Sequence, residues 1–262
     1  MSKGLSVQNI LYKHDERTVL NGINAAVTPG TVTAVLGPNG AGKSTLIKIF
    51  AGELEPQQGL VQFDGKPLSH WRANELARHR ALLPQSPELS FHFIAEDVVA
   101  LGRYPHHGRS SADENQRAVE GSLLATDTAP FAARDCRTLS GGECHRVHYA
   151  RVLAQLWRAS GETSRILLLD EPVAGLDLFH QHAVLSKARA MASQGVGVMA
   201  VLHDLNLAYL YADEVLVLAD GEIEAIGEPD KILCPERISE IWRTPCEILQ
   251  TKTGQKFLAF TG

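Results

Sequence analysis

The apolar positions of this chain change period several times, and each change marks an element. From Leu5 to Tyr12 and from Thr18 to Val27 they alternate with polar ones, before a turn at Pro29-Gly30. That is the pattern of a small antiparallel sheet with one buried face. Thr31-Val32-Thr33-Ala34-Val35-Leu36 is apolar and β-branched without a polar face, as a parallel strand buried on both sides is. Leu46 to Gly52 predicts a helix that stops on a glycine. Leu60 to Gly65 reads as a strand and turn, and Arg80 to Gln85 as another strand running into Gln85.

Between residues 86 and 135 the pattern loosens. Pro87, Pro105 and Pro130 punctuate it, and helical spacing is confined to Ala95–Gly102 and Asp113–Ala125. A mostly helical insertion between two core strands is expected. Leu139-Ser140-Gly141-Gly142-Glu143 then opens a long helix through about Trp157, and a polar stretch leads to the apolar run Ile166–Leu169. After it come a helix (Phe179–Gln194), a buried strand (Val196–Leu202), a second helix (Leu205–Ala212) and a strand (Glu214–Ala219). Asp220-Gly221 turns that strand back through Glu222–Ile226, and the tail from Pro229 reads as short helices and a closing strand pair. The alternation predicts an α/β fold: a parallel core sheet flanked by helices, an antiparallel β subdomain, and a helical subdomain near residues 86–160. No repeat or linker divides the chain, so residues 1–262 read as one domain.

Composition narrows the partners. The chain has 262 residues, a formal net charge of −5 and no dense Lys/Arg run, which argues against a nucleic-acid-binding face. Its four cysteines form no C-x-x-C pair, so reduced thiols in the cytoplasm are the expectation. The N-terminus lacks a signal-peptide core and no apolar run is long enough to span a bilayer, so any membrane role comes through a partner.

The chemistry starts between the β-branched strand and the helix after it. Gly37-Pro38-Asn39-Gly40-Ala41-Gly42-Lys43-Ser44-Thr45 is a complete G-x-x-x-x-G-K-[ST] phosphate-binding loop in the strand–loop–helix setting the motif needs. The glycines let successive N–H groups turn inward toward phosphate oxygens, and the helix N-terminus adds its positive end. Lys43 is placed to reach the β- and γ-phosphates, and the Ser44 hydroxyl to ligate Mg²⁺. Lys43 is expected on an exposed loop with little role in packing. Asp170-Glu171 follows the run Ile166–Leu169. Alone the pair would be a loop start or a helix cap. Beside a phosphate-binding loop, Asp170 is placed to hold Mg²⁺ and Glu171 to polarise a water for attack on the γ-phosphorus. Tyr12, ahead of the loop, either stacks on adenine or packs at the sheet edge.

With the loop, Gln85 and His203, the stretch Leu139–Glu143 resembles the signature of the ATP-binding-cassette (ABC) ATPases, a branch of the P-loop NTPases. The resemblance covers nearly the whole chain in the family's order. It implies a homodimer in which each ATP lies between two copies. Tyr12 would then be the adenine-stacking aromatic, and Gln85 would touch Mg²⁺ and the attacking water. Ser140, Gly141 and Gly142 would bind the γ-phosphate held by the other copy. Glu143 stands where the family often has Gln. Ala174-Gly175-Leu176-Asp177 would link the two sites through Asp177, with Ala-Gly where Ser-Ala is usual, and His203 would contact the γ-phosphate.

What such an ATPase drives is also implied by resemblance. Glu96–His106 is similar to a stretch in ATPases of iron–siderophore, haem and cobalamin importers. Leu176–His182 and the polar stretch before Asp170 are similar to those of haem importers. The expectation is a peripheral subunit on the cytoplasmic face of a bacterial inner membrane. It would dock on an integral permease dimer that a periplasmic binding protein supplies with haem. A siderophore or cobalamin importer is the alternative, and a soluble non-transport ABC ATPase a further one. Phe91, Phe93 and Tyr104 lie outside the nucleotide motifs, so they either dock the permease or fill the small core of the helical insertion. Of the 11 histidines, His106 and His107 are expected in a solvated loop or at a partner interface. Cys144 and His148, on one helix face, are assigned to surface or packing roles.

Overall fold

The computed structural model describes residues 3–86, 92–157, 163–252, 254 and 256–261. Its first two strands are the alternating ones. β1 (Leu5–His14) and β2 (Arg17–Val27) pair antiparallel, and Leu5, Val7, Ile10, Leu20, Ile23 and Val27 form their buried face. β3 (Val32–Leu36) is buried at every position, as its lack of alternation requires. α1 (Lys43–Ala51) ends at Gly52 in the left-handed conformation, φ 68°, with its N–H returned to Ile49 and Lys48 carbonyls. β4 (Gln58–Phe63) and β5 (Lys66–Pro67) join the first two strands in the order β2-β1-β4-β5. The turn between β4 and β5 is tied to the core by Asp64. Its carboxylate accepts from the Gly4 N–H at 2.8 Å and from the Ser164 N–H and hydroxyl at 2.9 and 2.6 Å.

A short helix, α2 (Ala73–Leu76), leads into β6 (Arg80–Leu83). The insertion holds α3 (Ala95–Leu101) and α4 (Ala112–Ala125), and α5 (Gly141–Gln155) closes it. Two faces of α5 enter different clusters. Val147, Ala150 and Ala154 join the small core of the insertion, while Tyr149, Val152, Leu153 and Leu156 join the main core. The rest alternates as expected: β7 (Arg165–Asp170), α6 (Leu178–Ser193), β8 (Val196–Val201), α7 (Leu205–Tyr211), β9 (Glu214–Ala219) and β10 (Glu222–Gly227). The tail adds α8 (Pro229–Ile232), α9 (Pro235–Trp242) and the hairpin β11 (Cys246–Gln250) and β12 (Lys256–Phe260).

The core sheet runs β10-β9-β3-β8-β7-β6. Strands β9, β3, β8, β7 and β6 are mutually parallel; β10 is antiparallel to β9 because Asp220 and Gly221, φ 46° and 80°, turn the chain directly back. The parallel strands therefore end at one edge, where an open α/β sheet gathers its ligand chemistry. Asp170 pairs with Val201 there, and the Leu202 N–H reaches the Val35 carbonyl at 3.1 Å. Among the described residues no helix is long and apolar enough to cross a membrane.

Two expectations for the insertion change. His106 is buried, with Nε2 2.8 Å from the Gln155 carbonyl, so it is neither solvated nor at an open interface. Phe93 packs against the small core of the insertion, Tyr104 is 72% exposed, and Phe91 lies outside the described residues. The end of α3 also lies directly on α5. A Cβ placed on Gly102 would come within 2.2 Å of the Arg151 carbonyl oxygen, which is helix backbone and cannot give way. Gly102→Ala is accordingly expected to destabilise the fold by about 1–3 kcal/mol, the range for overpacking. Urea denaturation would read it as a lower midpoint at unchanged slope.

Candidate functional site

The phosphate-binding loop leaves the sheet at Leu36 and is shaped by close approach on both sides. Gly37 has φ 148°, and a Cβ there would lie 1.9 Å from the Leu218 carbonyl oxygen. Gly42, φ 102°, caps α1, and a Cβ there would lie 2.7 Å from Leu20 Cδ2. No L-residue fits either place. The first bond of α1 runs from the Leu46 N–H to the Gly42 carbonyl at 2.8 Å, so its opening N–H groups face the loop with no intrahelical partner.

Lys43 is not the exposed loop residue its setting suggests. It is 6% exposed, and its ammonium donates to the Gly37 and Pro38 carbonyls at 2.7 and 2.9 Å. The loop wraps the lysine stem and holds the charge at its centre. Burial lowers its pKa, and the nearby Glu171 and Asp170 carboxylates oppose that shift. The Ser44 hydroxyl donates to Asp170 Oδ1 at 3.0 Å across 126 residues of sequence. Asp170 is 1% exposed, and burial raises its pKa; the Ser44 bond pulls it down, Glu171 pushes it up, and Lys48 and Lys43 pull it down. A carboxylate and a hydroxyl from two elements thus share one buried spot, a set of hard oxygen donors that fits a small divalent cation.

Glu171 has φ 52°, a left-handed conformation rare for a residue with a side chain. The sharp turn after β7 places the Glu171 carboxylate beside the residues that follow β8. Oε1 lies 2.8 Å from Nε2 of His203, which follows β8. Sequence spacing does not reveal this pairing. It arises because β7 and β8 are parallel neighbours ending at the same edge.

A cleft of about 1130 Å³ runs along the loop. Tyr12, Lys43, Ser44, Thr45, Glu171 and His203 line it, as do Asn39, Gly40 and Gly42. Tyr12 is half-buried against the core of the first sheet and faces this cleft, so its two sequence readings are compatible. A second cleft of about 790 Å³ passes behind the loop, past Gly37, Pro38 and Ala41 to α9. Arg17 and Asp220 line both clefts; the sequence marked Asp220 only as a turn residue and Arg17 not at all. Gln85 is exposed just beyond β6 at the same sheet edge but lines neither cleft.

The signature residues stand apart. Ser140, Gly141, Gly142 and Glu143 line neither cleft. They form the N-terminus of α5, closed by a capping box. The Ser140 hydroxyl accepts from the Glu143 N–H at 3.3 Å, and Glu143 Oε2 accepts from the Ser140 N–H at 2.8 Å. A Cβ on Gly141 would meet nothing within 4 Å, so this helix end opens outward. Asp177 caps α6 by accepting from the His180 N–H at 2.9 Å, and Leu178 and Phe179 beside it are each 70% exposed. His148 is fully buried on α5, its pKa lowered to about 4 by burial, then by Arg151 and His145. Neither of its ring nitrogens meets a hydrogen-bond partner, and no metal-ligating cluster occurs among the described residues.

A loop that holds a buried cation at a helix N-terminus, with a buried carboxylate and a His-paired glutamate opposite, is the half-site of a P-loop nucleotide hydrolase. A family profile described as ABC transporter matches residues 20–174. The chain is 48% identical to the hemin import ATP-binding protein HmuV of Gloeobacter violaceus over 85% of this chain and 81% of that one. It is 44% identical to the HmuV of Pseudomonas entomophila over 91% and 92% of the two chains. Among solved structures, a metal-chelate type ABC transporter in an inward-facing conformation matches with a TM-score of 0.79 at 28% identity, covering 99% of this chain and 97% of that one. A dimeric ATP-binding cassette bound to ADP and Pi matches with a TM-score of 0.75 at 25% identity, over 86% and 98%. The chain belongs to the ABC transporter family. Within it, its role is that of an importer ATPase, which binds ATP and hydrolyses it to power transport.

Proposed function

We propose that this ATPase powers the uptake of haem. The observation that carries the cargo is the 44–48% identity, over most of the chain, to proteins named for hemin import. The likeness to a metal-chelate transporter favours an iron–siderophore or cobalamin cargo as the second reading. The working unit in this proposal is two copies of the chain on the cytoplasmic face of the inner membrane, docked on an integral permease dimer. A periplasmic binding protein delivers cargo to the permease.

The separation of Ser140–Glu143 from both clefts supports the two-copy arrangement. Each chain carries a loop lacking a cover and a cover lacking a loop. Lys43, Ser44 and Thr45 hold the phosphates of one ATP, Tyr12 carries its adenine, and Ser140, Gly141 and Gly142 of the second copy close over the γ-phosphate. Asp177 of each copy links the two sites. Mg²⁺, held by Ser44 and Asp170 with Gln85 nearby, would neutralise charge on the β- and γ-phosphates. Glu171 accepts the proton of the attacking water, and His203 positions Glu171 and meets the γ-phosphate. ATP binds the closed pair more tightly than the open one, so binding closes the pair and hydrolysis releases it.

The permease-facing surface in this reading is the exposed side of the insertion, where Tyr104 is 72% and Leu101 45% exposed. Phe93 no longer belongs to it. In vesicles holding the permease, Mg-ATP should drive haem accumulation, whereas a ferric siderophore or cobalamin should not compete. Uptake of either competitor in preference to haem would replace the cargo. Tyr104→Glu should weaken co-purification with the permease by about tenfold or more, the scale of one interface anchor, while leaving ATP affinity intact. Full permease association in that variant would remove Tyr104 from the docking surface.

A further inference from the structure

The segment that presents Tyr104 is fastened to the helix that carries the signature. Arg103 is 5% exposed and has no carboxylate among its hydrogen-bond partners. Its guanidinium donates from Nη1 to the Ala154 carbonyl at 2.7 Å, from Nε to Asn115 Oδ1 at 2.9 Å, and from Nη2 to Ser110 Oγ at 3.2 Å. Ala154 lies in the last turn of α5, where a cation complements the negative end of the helix. Three residues on, His106 Nε2 donates to the Gln155 carbonyl at 2.8 Å. Burial lowers the pKa of that imidazole, the Gln155 contact opposes the shift and the Arg103 charge adds to it; the carbonyl partner, which can only accept, fixes a proton on Nε2. Gly102 completes the fastening by lying against the Arg151 carbonyl with no room for a side chain.

Gln155 extends the connection to the core sheet. Its side-chain amide donates to the Ala77 and Arg80 carbonyls at 2.7 and 3.0 Å, at the start of β6. β6 ends at Leu83, two residues before Gln85. One exposed aromatic therefore sits between two buried anchors. The anchors grip the C-terminal turn of a helix whose N-terminal turn is Ser140–Glu143, about 22 Å away at 1.5 Å per residue.

We propose that Arg103, His106 and Gln155 form a joint that transmits displacement of the Tyr104 surface to α5 and β6. They are positioning residues for partner-stimulated hydrolysis. This rests on the reading that the Tyr104 surface docks a permease. The alternative role is static support of the insertion, and the two roles differ in what they leave intact. A support whose loss matters lowers stability and basal turnover together. A joint whose loss matters leaves the isolated ATPase working and disconnects it from the permease.

The test uses the full chain alone and assembled with its permease in vesicles. His106→Leu removes the donor to the Gln155 carbonyl, and Gln155→Leu removes both donors to the β6 segment. Each should lower the ratio of permease-stimulated to basal hydrolysis by about fivefold or more, the lower end of allosteric coupling. Permease association and isolated-chain hydrolysis should stay at wild-type levels. His106→Gln keeps an N–H donor near the Nε2 position and should restore the ratio, which a purely space-filling role does not predict. Unchanged ratios in both Leu variants, or loss of basal turnover in step with the ratio, would overturn the joint. A wild-type chain that its permease does not stimulate would overturn the function proposed above, and the joint with it.

Discussion

Glu171→Gln is expected to reduce ATP hydrolysis by about 10²-fold or more, the scale for loss of a general base, while ATP binding persists. The substitution keeps the size of the side chain and a carbonyl oxygen that can accept from His203 Nε2, now 2.8 Å from Oε1. The left-handed turn at this residue, φ 52°, makes similar demands of Glu and Gln, so the loop should keep its course. The basic oxygen and its negative charge are lost. In the proposed arrangement that charge faces the γ-phosphate, and it lies close enough to Lys43 to act on its titration. Its removal favours the nucleotide-bound form, so the variant should accumulate as an ATP-bound dimer. Size-exclusion chromatography with and without Mg-ATP, in the presence of the permease, reads the dimer; phosphate release reads turnover. Near-normal turnover would mean that another group positions the water.

Lys43→Ala should remove most ATP affinity, by about 2–5 kcal/mol as for one partner of a buried charge contact, and so by about thirtyfold or more in the dissociation constant. Among the described residues no other ammonium or guanidinium donates to the Gly37 and Pro38 carbonyls. The burial of this lysine adds a second effect that an exposed side chain would not have. The variant loses two hydrogen bonds inside the loop but also relieves the desolvation of the ammonium. The net loss of stability in the nucleotide-free protein should be about 1 kcal/mol, near that of an ordinary hydrogen bond. A melting curve slightly below wild type and no longer raised by ATP would show both effects. Wild-type affinity in the variant would exclude Lys43 from phosphate binding.

The elements were legible wherever one period governs a segment. β3 and β7 read directly because a strand buried on both faces shows no alternation of apolar and polar positions. The phosphate-binding loop read directly because Gly37 and Gly42 each occupy a place where backbone or side chain leaves no room for a Cβ. Contacts between distant segments left no such trace. The pairing of β4 with β1 sets Leu5 against Phe63, and no periodicity in either strand announces it. The Glu171–His203 contact depends on two strands being neighbours, which their sequences do not state. Lys43 and His106 were misread because residue type and loop position indicate solvent, whereas carbonyls of its own loop enclose Lys43 and the distant Gln155 carbonyl engages His106. Phe93 and Tyr104 show the converse. Both are aromatic and close in sequence, yet one fills a core and the other faces outward.

The capping box at Ser140 and Glu143 bears on how two copies part. In a single chain the Ser140 hydroxyl and N–H already have partners on Glu143. In the proposed pair of copies, parting leaves the Ser140 hydroxyl and N–H with their intrachain partners, while the Gly141 and Gly142 N–H groups return to solvent. In that arrangement the Ser140 side of the helix end needs no rearrangement of its own between one closure and the next.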